Sequence, residues 1–152
     1  MTFGRSGSER ALWHTLRPRL LAIPRALVRR IENGAGEGDP DVYLCSPSTG
    51  PLWIELKYRR QWPQRPDRIV TLPHFTPAQR SWHLAHATAS GRSWVLLQVA
   101  RHYMLLPGAQ AAVELGLTLT QQRLTSGLWV WAPRLPGAGE LARALGGAFA
   151  PR

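Results

Sequence analysis

Lysine is almost absent from this sequence. Lys57 is the only one among 152 residues, and the other eighteen strongly basic residues are all arginine. Arginine carries a permanent charge on a broad planar fork, whereas lysine offers a compact ammonium with a tunable pKa on a flexible stem. A chain that avoids lysine but keeps one therefore indicates a position where arginine will not serve. The arginine bias by itself also fits a GC-rich genome and is only supporting evidence for function.

Cysteine and long apolar runs are scarce as well. Cys45 is the only cysteine, which excludes an intrachain disulfide and suits a reducing compartment. The apolar run from Leu20 to Ile23 is cut by Pro24, and no segment approaches the roughly 20 apolar residues of a membrane span. No apolar run near the N-terminus is long enough for a signal peptide. We therefore expect a soluble, cytoplasmic protein with no membrane partner.

Acidic residues are also few. Nine acids stand against nineteen lysines and arginines, which gives a net charge of +10 and a sequence pI of about 11.5. That balance favours a polyanionic partner, nucleic acid first and an anionic membrane surface second. A hydrophobic share of 44% and a charged share of 18% exclude an intrinsically disordered chain. The length predicts a single domain over residues 1–152.

The order of predicted elements is typical of an α/β domain with a mixed sheet. Ser8 is the expected N-cap of a first helix, which Pro18 and Pro24 should limit. Thr76 and Gln79 form a capping-box pattern that starts a second helix ending near residue 90. Four strands are predicted at 41–45, 52–58, 93–99 and 102–106, with an irregular loop at 59–73. Residues 26–31 fit either a strand or the end of a helix. Less regular elements follow at 109–115 (helix), 128–132 (strand) and 140–145 (helix).

The first two of these strands form a predicted hairpin centred on Ser48. In that register Asp41 lies opposite Glu55, and directly opposed residues share one face with Cβ atoms roughly 4.5–5.5 Å apart. Strand alternation puts Lys57 on the same face as Glu55. The opposite face receives only apolar residues: Val42, Leu44, Leu52, Ile54 and Leu56. One face is therefore predicted to be core and the other a functional site.

Two carboxylates and a lysine on one face suit hydrolysis of a phosphodiester. Mg²⁺ prefers oxygen ligands and keeps several waters, so Asp41 and Glu55 can hold it between them. The ion would lower the pKa of a water and neutralise the phosphate. Lys57 can orient the attacking water and stabilise the charge that develops in the transition state. Glu-x-Lys alone is a common surface pattern, and only the combination favours a site.

These residues resemble the PD-(D/E)XK nuclease superfamily. The likeness is greatest to its virus-type replication-repair (VRR-NUC) branch, which includes small stand-alone nucleases of phages and bacteria. The matching segments are Gly38–Val42, Trp53–Lys57, Thr76–Trp82 and Gly91–Leu96. The resemblance covers roughly residues 8–107 and leaves 108–152 as a C-terminal extension. It implies a restriction-endonuclease-like core, in which helices flank a mixed central β-sheet.

The resemblance also implies roles for individual residues. Asp41, Glu55 and the backbone carbonyl of Leu56 would be metal ligands, and Lys57 would be the catalytic lysine. Gln79 would lie near the active site, although its capping box alone would justify a glutamine there. The acid that the family places on its first helix corresponds to Glu9, with Glu32 as the alternative. Five of the nine acids lie between Glu32 and Glu55, a concentration that is costly without a compensating cation.

By the same resemblance, the protein would be a Mg²⁺-dependent DNA endonuclease, with Mn²⁺ as a substitute ion. Small stand-alone members act as symmetric homodimers on branched DNA, so the expected substrate is a Holliday junction and the expected role is DNA repair or recombination in a bacterial or phage-infected cell. Two alternatives stay open. One is a non-enzymatic, arginine-rich nucleic-acid-binding protein. The other is a PD-(D/E)XK nuclease with a different DNA-processing or restriction-like role.

Several further residues are candidates for DNA contact. Arginines beside the catalytic segment can bind backbone phosphates and a tryptophan can stack on a base; these candidates are Arg29, Arg30, Arg59, Arg60, Trp62, Arg65 and Arg68. A solvated loop is nearly as good an explanation for those that follow Lys57. His83 and His86 lack a four-ligand zinc spacing and are expected to be ordinary helix-surface histidines. Trp129 and Trp131 should share one face, as core or as a dimer interface.

Overall fold

A computed structural model describes residues 5–31 and 38–147, and the side chains of 9–31 and 38–147. These residues form five helices and six strands. In chain order the elements are α1 (Arg5–Leu21), β1 (Leu27–Arg30), β2 (Val42–Ser46), β3 (Gly50–Arg59), α2 (Pro77–Thr88), β4 (Ser93–Val99), β5 (His102–Pro107), α3 (Gly108–Glu114), α4 (Gln121–Thr125), β6 (Val130–Trp131) and α5 (Ala138–Gly147). No helix of the described residues is long and apolar enough to cross a membrane.

The six strands form one mixed sheet in the order β1-β2-β3-β4-β5-β6. Only β3 and β4 run parallel, and every other neighbouring pair is antiparallel. Parallel neighbours need a crossover connection, and here that connection carries the irregular loop and α2. The predicted α/β class with a mixed sheet flanked by helices is therefore confirmed.

Helices cover the two faces of the sheet with separate cores. On one face α1 and α5 contribute Leu12, Leu16, Leu20, Leu141 and Leu145, which pack on the apolar side of β2 and β3. On the other face α3, α4 and the loops around them pack on β4 and β5, chiefly on Val95, Leu97, Val99, Met104 and Leu106. The charged side of β3 faces this second layer, beside the part of the sheet that α2 approaches.

The predicted hairpin register is correct. Tyr43 pairs with Trp53 and Cys45 with Pro51, which places Asp41, just before β2, beside Glu55. The apolar alternation of β2 and β3 also falls as predicted, because Val42, Leu44, Leu52, Ile54 and Leu56 are all buried in the first core. A short turn and a strict two-residue period leave this hairpin little freedom to slip.

The first helix departs from its predicted bounds. It begins at Arg5, so Ser8 lies inside it and is not the N-cap, and it continues through Pro18 to Leu21. Proline inside a helix costs about 3 kcal/mol or more. Burial of Leu12, Leu16 and Leu20, each at most 1% exposed, contributes roughly 1.5–3 kcal/mol per side chain. The core contacts on both sides of Pro18 therefore outweigh its cost.

The C-terminal elements differ from expectation in extent. The last strand spans only Val130–Trp131, and α5 begins two residues before the predicted residue 140. Helix α4, capped by the Thr120 hydroxyl, was not predicted because five residues carry too little periodicity. The rings of Trp129 and Trp131 stack with centroids 6.2 Å apart and pack against the first core. These two tryptophans therefore share a face, as expected.

Candidate active site

Asp41 lies at the start of the hairpin and is held on two sides. Its Oδ2 accepts a hydrogen bond of 2.7 Å from the Leu56 amide, and its Oδ1 accepts one of 3.2 Å from Arg30 Nη1. Arg30 also donates to the Asp41 backbone carbonyl at 2.9 Å. The amide and carbonyl of a strand residue point to the same neighbouring strand. The Leu56 carbonyl therefore faces the same side of β3 as the Asp41 carboxylate.

Glu55 occupies the middle of β3, and only 1% of its side chain is exposed. Its Oε2 lies 3.8 Å from Lys57 Nζ, and its Oε1 lies 3.4 Å from His83 Nε2. Burial, and then the Asp41 charge, raise the pKa of Glu55 to about 9. Ionisation of both carboxyl groups together is therefore disfavoured in the metal-free protein.

Lys57 is buried beside these carboxylates and its ammonium is fixed in place. It donates hydrogen bonds of 3.0 Å to the His74 carbonyl and 3.0 Å to Gln79 Oε1, and it lies 5.5 Å from the centroid of the Phe75 ring. The side chain is 4% exposed. A buried ammonium with all of these partners is a preorganised cation, because its position no longer has to be set when a substrate arrives.

Gln79 combines the two roles considered from the sequence. The Thr76 hydroxyl accepts from the Gln79 amide at 3.2 Å, and Gln79 Oε1 accepts from the Thr76 amide at 2.9 Å. The capping box is therefore present. The same Oε1 atom accepts from Lys57, so the cap of α2 also fixes the orientation of the lysine.

Of the two candidate first-helix acids, only Glu9 is among the described residues; Glu32 lies outside them. Glu9 sits on α1, where burial raises the pKa of its carboxyl and the Lys57 charge opposes that rise. Asp41 raises the pKa of Glu9 further, and Arg30 lowers it. Glu9 is therefore within electrostatic range of the site. Among residues 9–31 and 38–147, no three acidic, histidine or cysteine side chains lie close enough together to hold a metal ion. Glu9 therefore does not join Asp41 and Glu55 in a three-residue metal cluster.

The prediction for His83 was wrong. Its ring is fully buried, with Nδ1 sharing a 2.8 Å hydrogen bond with Ser93 Oγ and Nε2 facing Glu55. Burial, followed by the charges of His86 and Lys57, lowers the pKa of His83 to about 4. Gly108 leaves room for this pair, since a Cβ there would overlap Ser93 Oγ and the His83 ring. The missed signal was helical spacing: His83 is four residues after Gln79 and therefore shares its face.

The candidate DNA contacts fall into two groups. Several are exposed, namely Arg29, Arg60, Arg65 and Arg68, although Arg65 pairs with Asp67 at 3.2 Å. The others have partners inside the protein. Arg30 holds Asp41, and Arg59 bonds to the carbonyls of Gln61 and Thr71. Trp62 is half-buried, with Nε1 3.4 Å from His102 Nδ1.

The residues present suit a hard divalent cation. The Asp41 and Glu55 carboxyl groups interact electrostatically, and burial and mutual repulsion make it costly for both to be ionised. A divalent cation bound by both carboxylates would remove that cost. The donors that the two carboxylates and the Leu56 carbonyl offer are oxygens, while the nearby His83 Nε2 is engaged with Glu55 Oε1 at 3.4 Å. Mg²⁺ is bound in just this way, by one or two carboxylates and several waters, so a site with only two carboxylates is sufficient for it.

Comparison with known proteins gives a likeness in fold. No protein-family model matches the chain, and no curated protein matches its sequence. Among solved structures, the chain is similar to Hjc, a Holliday junction resolvase from the archaeal hyperthermophile Archaeoglobus fulgidus. The TM-score is 0.53 and the identity 18%, over 90% of this chain and 98% of that chain. The two chains therefore share a fold, a mixed sheet flanked by helices, over most of their lengths.

Proposed function

We propose that this chain is a metal-dependent DNA endonuclease of the PD-(D/E)XK type. One observation carries the proposal: Asp41, held by the Leu56 amide at 2.7 Å, lies beside Glu55, and the buried Lys57 ammonium is fixed 3.8 Å from Glu55. A structural ion pair does not need a lysine held by the cap of a separate helix. Burying Glu55 and Lys57 beside the partly exposed Asp41 is expensive, and catalysis of phosphodiester hydrolysis is a reason for a chain to keep them.

The division of work among the residues follows from their positions. Mg²⁺, held by Asp41, Glu55 and the Leu56 carbonyl, would supply a water of lowered pKa and neutralise negative charge on the phosphate. Lys57 would donate to the attacking water or to a non-bridging phosphate oxygen. Gln79 and the His74 carbonyl fix the orientation of the ammonium, so the entropy of orienting it is lost during folding and not when the substrate binds. Glu9 is close enough to attract the cation to the site.

Branched DNA is the proposed substrate. The net charge of +10 favours a polyanion, and the protein with the shared fold is a Holliday junction resolvase. The described residues form one compact sheet with its two helical layers and include no separate base-reading module, which favours recognition of DNA shape. The exposed arginines Arg60, Arg65 and Arg68 follow the catalytic strand and are proposed to contact backbone phosphates.

A symmetric homodimer would supply the two active sites that a junction with paired strands requires. Three apolar side chains in or directly after the packed helices α2 and α3 are exposed: Leu84 of α2 at 40%, Val113 of α3 at 53%, and Leu117, three residues beyond the end of α3, at 51%. Exposed apolar groups that lie together mark interaction surfaces. Light scattering on a sizing column measures the mass directly. A monomer under conditions of full activity contradicts this part of the proposal.

The activity itself is tested with labelled Holliday junction, flap and linear duplex at equal concentrations, incubated with Mg²⁺, Mn²⁺ or EDTA. We expect metal-dependent cleavage, fastest on the junction. Lys57→Ala should abolish cleavage and retain DNA binding, with Arg101→Ala, an exposed arginine in the β4–β5 turn, as a control. Binding that falls with salt and yields no products would indicate the non-enzymatic alternative. Preference for linear duplex would indicate a different nuclease role.

A further inference from the structure

One part of the sheet face that carries the site has no buried core over it. Within the described residues, the second core draws its strand members from β4 and β5 and none from β1 or β2. The side chains that β1 and β2 present on this face remain accessible. Leu27 is 44% exposed, Arg29 is exposed, and Tyr43 and Cys45 are half-buried. This open face adjoins the candidate active site directly.

A row of three side chains crosses the open face. Arg29 of β1 is opposite Tyr43 of β2, which is opposite Trp53 of β3. Directly opposed residues lie on the same face, so the row consists of an exposed guanidinium and two half-buried rings. The Tyr43 and Trp53 rings meet edge to face with centroids 5.2 Å apart, and Trp82 of α2 supports Trp53 at 5.8 Å.

This row lies directly beside the pair formed by Asp41 and Glu55. Tyr43 and Trp53 are each two residues from Asp41 and Glu55 along their strands, a separation of roughly 6.6–6.8 Å. An extended nucleotide spans a comparable length. A phosphate held at Asp41 and Glu55 would therefore place an adjacent base within reach of the Tyr43 ring, if that base were free of its partner strand.

We propose that Arg29, Tyr43 and Trp53 bind an unpaired nucleotide next to the scissile phosphate, with the Tyr43 ring stacking on its base, Trp53 supporting that ring edge to face, and Arg29 contacting the nucleotide backbone. Aromatic side chains on an open sheet face are a known way of stacking bases. The inference rests on the proposed nuclease function and assigns to that site a preference for DNA with unpaired bases beside the cut. A nucleic acid fits this face better than a second protein copy, because an exposed guanidinium beside aromatic rings complements a phosphate and its base.

Binding is measured without cleavage, in EDTA, with a short oligodeoxythymidylate and a duplex of equal length. Tyr43→Ala should weaken binding of the single strand roughly 5- to 150-fold, the range for loss of one stacked base. Tyr43→Phe keeps the ring and should bind as the unmodified protein does. Arg29→Ala should weaken the binding of both ligands and reduce the salt dependence of that binding. Arg101→Ala serves as its charge-matched control. Thermal unfolding checks that each variant is folded.

Cleavage then separates this inference from the proposed function. With Mg²⁺, a duplex carrying unpaired nucleotides beside the cut should be cleaved faster than a fully paired one, and Tyr43→Ala should reduce that ratio. No cleavage of any DNA overturns the nuclease proposal. Cleavage with an unchanged ratio in Tyr43→Ala overturns the stacking row alone. A loss of dimer mass in Tyr43→Ala, with unaltered single-strand binding, would show instead that a second copy covers the face.

Discussion

A single oxygen of Gln79 accepts hydrogen bonds from both the start of α2 and the Lys57 ammonium. Gln79 Oε1 lies 2.9 Å from the Thr76 amide nitrogen and 3.0 Å from Lys57 Nζ. The cap and the lysine are therefore linked, because the side chain that accepts from the N-cap amide of α2 also sets where the ammonium points. Different substitutions at Gln79 should therefore change the stability of the helix and the cleavage rate to different extents.

Gln79→Ala should lower both stability and activity, whereas Gln79→Glu should restore only stability. Alanine removes the half of the capping box in which Gln79 Oε1 accepts from the Thr76 amide, at a cost of about 0.5–1.5 kcal/mol, and frees the ammonium from one acceptor. Glutamate caps equally well, but its charge holds Lys57 away from the substrate. We expect kcat to fall by about 10- to 100-fold in both variants. Thermal unfolding and single-turnover cleavage measure the two effects, and full activity of Gln79→Glu would reduce Gln79 to a helix cap.

The hairpin and its site face could be predicted because the sequence specifies them locally. A turn of Pro, Ser, Thr and Gly joins two alternating strands, and a shift of one residue would expose the entire apolar face. That is why Asp41, Glu55 and Lys57 were placed correctly relative to one another. The capping box was equally local, since Thr76 and Gln79 are three residues apart.

The remaining features depend on contacts between distant segments. His83 is buried because Glu55 and Ser93 of other strands supply partners for both ring nitrogens, and nothing within α2 indicates those partners. Pro18 stays helical because the first core holds the helix on both sides of it. Arg30 reaches Asp41 only once β1 pairs with β2. In each case the energy that decides the structure comes from tertiary packing, which a single sequence does not display.

We predict that His83 positions Glu55 and does not itself react. His83→Phe fills the same space but removes the partners of Glu55 Oε1 and Ser93 Oγ. Groups that orient metal ligands are typically worth 10- to 100-fold in metal affinity or activity. We expect a loss of that size in kcat and in Mg²⁺ affinity, with DNA binding in EDTA retained. His86→Phe, one turn further along α2, is the matched control; equal loss in both variants would point to general disruption of the helix.

His83 should also make the protein less stable in mild acid. Its pKa is about 4 in the folded state against 6.5 for the unperturbed side chain, so the unfolded chain binds the extra proton between these values. The free energy of unfolding should therefore fall as pH drops from 6.5 towards 4, by up to about 3 kcal/mol from this group. Urea unfolding at several pH values, compared between the unmodified protein and His83→Phe, measures it. Parallel curves would contradict the burial of a neutral histidine.

Glu55→Gln should stabilise the metal-free protein in alkaline solution while removing its response to Mg²⁺. The pKa of Glu55 is raised from 4.5 to about 9, so the folded state binds one more proton within this window, and the free energy of unfolding falls as pH rises through it. Glutamine is neutral at every pH and avoids this loss, by on the order of 2–4 kcal/mol at pH 8. Mg²⁺ should raise the Tm of the unmodified protein, because the ion binds the folded state, and leave that of Glu55→Gln unchanged. Urea unfolding at pH 8 with and without Mg²⁺ tests both halves. A variant that is less stable than the unmodified protein without metal would show that Glu55 is already ionised and satisfied by Lys57, and a variant that still responds to Mg²⁺ would place the ion elsewhere.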